Sequence, residues 1–123
     1  MWLTQLIIML TFLIQVSYTS KAWSALVQDP QNRLDILRPT IENLGGKLES
    51  AYLAFGDFDV LGIIQLPDNV SAAALSMAMM AGGGITKLNI VTLMTWTEGV
   101  EAMKKAKNAA YTPPTTSQMF DKR

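Results

Sequence analysis

The sequence predicts an α+β fold in which two β-α-β halves share one antiparallel sheet of four strands, with an extra helix at the C-terminal end. Three observations predict it. Stretches with period-two alternation and stretches with helical spacing follow one another in the order β-α-β-β-α-β. The two central strands are apolar at consecutive positions, so both of their faces carry hydrophobic side chains. A chain of 123 residues is the size of one domain and of one core.

The elements can be justified in turn. Residues 1–20 carry no charge, yet a secretion signal needs a basic segment before its apolar run, and here the first basic residue, Lys21, comes after it. A membrane span needs about 20 predominantly apolar residues, and Thr4, Gln5, Thr11, Gln15, Ser17, Tyr18 and Thr19 interrupt this one. Leu10, Phe12, Ile14 and Val16 alternate with Thr11, Leu13, Gln15 and Ser17, the pattern of a core strand. Met9 stands just before it, so residues 1–8 read as an N-terminal extension to a domain at 9–110. Ala22, Trp23, Leu26 and Val27 suggest a short helix ending near Asp29. Asp29-Pro30 then suits the start of a second, carrying Leu34, Leu37, Ile41 and Leu44, kinked at Pro39 and stopped by Gly45-Gly46.

Residues 47–55 and 58–66 predict a hairpin about a tight Gly56-Asp57 turn, because glycine tolerates positive φ. Pro67-Asp68 opens a helix whose Val70, Ala73, Ala74, Met77 and Met80 form an apolar stripe, ended by Gly82-Gly83-Gly84. Residues 85–94 make the fourth strand. Thr95 and Glu98 form a capping box ahead of Val100, Met103 and Ala106, with Lys104, Lys105 and Lys107 where cations complement the helix dipole. Residues 111–123 predict a flexible tail that Tyr111, Met119 and Phe120 are able to anchor on a partner. This order is that of a ferredoxin-like sheet, which bears helices on one face only. The other apolar face predicts a homodimer paired through its sheets, since each exposed aliphatic side chain forfeits about 1.5–3 kcal/mol.

Composition excludes several chemistries. Ten basic and ten acidic residues cancel, which removes the excess positive charge that nucleic acid requires. No nucleic-acid partner, no membrane role and a cytoplasmic location are expected. The chain has no Cys and no His, so thiol nucleophiles, imidazole bases and Cys/His metal sites are excluded. Leu48 to Thr86 holds acids but no Lys or Arg, and the C-terminal third is basic, a gradient that solvated faces of opposite sign explain.

Asp57 and Asp59, two residues apart, form a pair of the kind that tunes a carboxyl pKa or holds a hard cation; Asp in a hairpin also has purely local uses. Met77, Met79 and Met80 fit core packing or an adaptable ligand pocket, and Trp23 and Trp96 fit packing or stacking. The glycine triplet follows a helix and lacks the Gly-Lys-Ser/Thr of a phosphate loop. No cofactor and no metal are expected.

The stretch AYLAFGDFDVLGIIQLPD, with Gln31-Asn32-Arg33, Leu44-Gly45-Gly46 and Ile85-Thr86-Lys87-Leu88, resembles the GYD domain family over about residues 9–105. The Gly-x-Tyr-Asp signature stands here as Gly56-Asp57-Phe58-Asp59, with phenylalanine in place of tyrosine, so a phenolic hydroxyl is lost there and an aromatic ring kept. The resemblance implies a ferredoxin-like domain of dimeric α/β barrel type and no assigned activity. The functional expectation is a non-catalytic or accessory homodimer holding a small apolar molecule between sheet and helices, with Gly56, Asp57, Phe58, Asp59, Tyr18 and Tyr52 as candidate site residues. The alternative is a cofactor-independent enzyme, similar to the monooxygenases and isomerases of such barrels, in which Asp57, Asp59, Tyr18 or Tyr52 assists proton transfer.

Overall fold

The computed structural model describes residues 8–115. Residues 1–7 of the expected extension, and Met119 and Phe120 of the expected tail, lie outside the described residues. The chain divides between Leu93 and Met94 into two compact units. The first holds β1 (Leu10–Tyr18), α1 (Ser20–Gln28), α2 (Leu34–Asn43), β2 (Lys47–Leu53), β3 (Val60–Leu66), α3 (Asn69–Ala81) and β4 (Ile85–Leu93). The second holds α4 (Trp96–Lys107).

The four strands form one sheet in the order β2-β3-β1-β4, with every neighbouring pair antiparallel. Central β1 alternates as expected: Phe12, Ile14 and Val16 are buried, and with Val60, Ile64 and Leu66 of β3, Leu48 of β2, Ile41 of α2 and Ala72 and Leu75 of α3 they make the core. Gly62 faces the same way, where a Cβ would press on the Ile14 side chain and the Ser50 carbonyl. The register pairs Leu13 with Ile63 and with Val91, and Gln15 with Leu61, so these residues share the opposite face. No helix of the first unit packs on that face; Val91 and Leu93 stay over one-third exposed.

The helix ends follow their cap chemistry. Thr19 accepts from the Ala22 N–H (3.0 Å) to start α1, and Asp68 accepts from the Ser71 N–H (2.7 Å) to start α3. After α2, Gly45 at φ 83° donates to the Glu42 carbonyl and Gly46 to that of Ile41, the paired bonds of a Schellman motif. Pro39 stays inside α2, where it has no N–H to give, and the Thr40 hydroxyl donates to the Ile36 carbonyl (2.8 Å). The capping box of α4 is complete: Thr95 N–H donates to Glu98 Oε1 (2.8 Å) and Glu98 N–H to Thr95 Oγ1 (3.0 Å). Trp96, Val100 and Met103 of α4, at helical spacing, are all exposed.

Three local expectations are corrected. The hairpin is not tight. Residues 54–59 form a longer loop that folds back on β1, closed by Ala54 N–H to Asp59 O and Asp59 N–H to Val16 O (2.8 Å each), and Gly56 does not adopt positive φ. Asp29 does not open α2; its N–H closes α1 on the Ala25 carbonyl, and α2 begins only after Asn32 Oδ1 has accepted from the Leu34 N–H (3.0 Å). The face of α3 is the other one. Ala72, Leu75 and Met79 meet the sheet side, whereas Val70, Met77 and Met80 are exposed, because a helix apolar almost all round gives no single stripe to read.

Candidate functional site

No residue of α1 is fully buried and none enters the core, although Ala22, Trp23 and Leu26 make an apolar face on it. That face looks onto a cleft of about 1150 Å³ between the helices and the helix-bearing side of the sheet. Leu34 and Leu37 of α2, Val16 and Val60 of the sheet, and Met79 and Ile85 continue its apolar wall. Helix α1 therefore forms one wall of the cleft, while α2 and α3 contribute side chains to the core.

The polar groups gather at the end of β1. A register shift at Ser17/Tyr18 leaves Thr86 as an extra residue on β4, and such a bulge re-aims the side chains around it. Thr86 Oγ1 donates to the Ser17 carbonyl (3.3 Å), and Thr19 N–H to the Gly84 carbonyl (3.0 Å), which ties the strand ends together. Asp59 Oδ2 accepts from the Tyr18 backbone N–H (2.9 Å) and from the Trp23 indole N–H (3.1 Å). The Tyr18 and Trp23 rings meet edge to face, 5.5 Å between centroids and 88° between planes. Burial pushes the Tyr18 phenol above its ordinary pKa; the charge of Arg33, and its hydrogen bond to the phenol, act against the rise, and Asp59 adds to it. Arg33, at the solvent side of the cleft, also donates to Gln31 Oε1 (3.0 Å).

The six candidate residues separate. Tyr18 and Tyr52 line the cleft, and Asp59 braces it from behind. Tyr52, on edge strand β2, also borders a shallow depression of about 220 Å³ with Leu13, Leu61 and Ile63 on the opposite face. Gly56 and Asp57 sit in the exposed loop, outside the cleft; the Asp57 carbonyl accepts from the Ser17 hydroxyl (3.0 Å). Phe58 packs under the Lys87 ammonium, 5.3 Å from its ring centroid, a cation–π contact. Among the described residues no group of three acidic residues stands close enough to hold a metal ion. Sequence reasoning missed Arg33 as a cleft residue, because no short-range pattern marks a lone arginine in a polar loop. It is a neighbour of Tyr18 only in the fold.

Sheet order and cleft define a small α+β domain with an apolar groove on its helical side. The model of the GYD domain family matches residues 12–103, and the chain belongs to that family. Neither the search of curated proteins nor that of solved structures returned a match. No helix among the described residues is long and apolar enough to cross a membrane.

Proposed function

We propose that the protein is a ferredoxin-like domain of dimeric α/β barrel type, over about residues 9–110, that pairs through its sheets and holds a small apolar molecule in the cleft as a non-catalytic, cytoplasmic binding or accessory protein. One observation carries the reading: the apolar face of α1 has no protein core to fill and faces an open cleft instead. A helix held by tertiary packing normally buries such a face, and a bound molecule supplies the missing contact. The proposed pairing rests on Leu13, Leu61, Ile63, Val91 and Leu93, which share the sheet face that no helix of the first unit covers. Against an enzyme stands the use of Asp59, whose Oδ2 already accepts two hydrogen bonds, and among the described residues no buried side-chain polar atom lacks a partner.

Native mass spectrometry of the protein purified from its own host tests both parts. Two copies carrying a retained small molecule are expected. A bare monomer at high concentration overturns the reading.

A further inference from the structure

Resting on the reading of the cleft as a binding site, we infer that its ligand is an amphipathic anion, an apolar body ending in one carboxylate that Arg33 receives. The charge of the lining carries the argument. Arg33 is its one charged side chain among the described residues, and neither Asp nor Glu lines it. The Arg33 guanidinium donates to Gln31 Oε1, a neutral partner, and stands near the Tyr18 phenol, and the ion pair seen among the described residues lies elsewhere, Lys104 with Glu101. Asp59, which accepts from the Tyr18 and Trp23 N–H groups, lines no part of the cleft.

Two other polar groups there have hydrogens to give. Tyr18 offers its hydroxyl, a phenol that is protonated and so a donor at neutral pH. Asn32 spends its side-chain oxygen on the Leu34 N–H, which leaves its amide hydrogens to give. A cationic head would meet a like charge, and an alcohol would leave the guanidinium fork unmatched. A carboxylate accepts two parallel N–H bonds from that fork and keeps its head at the solvent side, with its apolar body along Trp23, Leu26, Leu37 and Met79.

The test is isothermal calorimetry on the full chain with three probes of equal tail length: decanoate, decanol and decyltrimethylammonium. Decanoate is expected to bind at least about tenfold more tightly than decanol, as a charge-assisted hydrogen bond predicts, with the ammonium weakest. Arg33→Met is expected to bring decanoate to within about threefold of decanol, Arg33→Lys to keep part of the preference, and added salt to shrink it. Should Arg33→Met fail to fold by circular dichroism, Arg33→Gln takes its place. Equal affinity for decanoate and decanol, or a preference that survives loss of the arginine charge, overturns the inference while leaving the cleft reading intact. Binding of none of the three overturns both.

Discussion

Asp59 shows how one side chain can tie a strand end to a helix. Its carboxylate serves the Tyr18 and Trp23 N–H groups, both part-buried, so Asp59→Ala strands two donors. The expected cost is about 1–3 kcal/mol, read as a shift of the urea midpoint, and Asp59→Asn, which keeps an acceptor oxygen, is expected to lose less. Tyr18 sets a pH dependence. Its folded-state pKa lies above the ordinary 10.0, so its contribution is complete below pH 10 and is lost at higher pH, where the unfolded chain ionises first. Stability curves measured through that alkaline range are expected to fall less steeply for Tyr18→Phe. A glycine pair gives a third contrast. A Cβ at Gly46 would run into the Gln65 carbonyl and the Leu66 side chain, whereas one at Gly56 meets nothing within 4 Å. Gly46→Ala is expected to cost about 1–3 kcal/mol or more and Gly56→Ala to be neutral or gain a few tenths, by chemical denaturation. The carboxylate of Asp59 was visible in the sequence as a candidate. Its duty was not, because the Trp23 indole stands 36 residues away and only the loop at 54–59 brings the two together.

At the scale of elements, legibility followed the sharpness of the pattern. Strand β1 was readable because burial alternates strictly along it, and the α4 capping box because both of its bonds lie within three residues. Thr95→Ala is expected to cost about 0.5–2 kcal/mol of helix stability, seen as a loss of far-UV ellipticity over α4 on mild heating. The start of α2 was misplaced because Asp29-Pro30 suits two roles, the stop of one helix and the start of the next, and the Asp29 N–H goes to the first. The face of α3 escaped because Val70, Met77 and Met80 are as apolar as Leu75 and Met79, so only packing against the sheet chooses between them. Helix α1 was expected from its spacing. That its apolar side would border a cleft rather than a core depends on α2 and α3 closing the core without it.

For the whole molecule, the two faces of the sheet have separate tasks under the proposed function, and each can be disabled alone. Leu13 and Ile63 are directly paired on the face that no helix of the first unit covers, so Leu13→Glu or Ile63→Lys places a charge in the proposed pairing surface and none in the core. Analytical ultracentrifugation is expected to show the dimer converted to a folded monomer, because desolvating an unpaired charge costs several kcal/mol. The cleft lies on the other side of the sheet, so filling it leaves that mass unchanged. The indole of Trp23 forms part of the wall while its N–H is tethered to Asp59, so the molecule carries its own optical gauge. With Trp2 and Trp96 replaced by phenylalanine, displacement of water by an occupant should turn the remaining emission toward the blue. Occupancy then becomes something to watch without any dye.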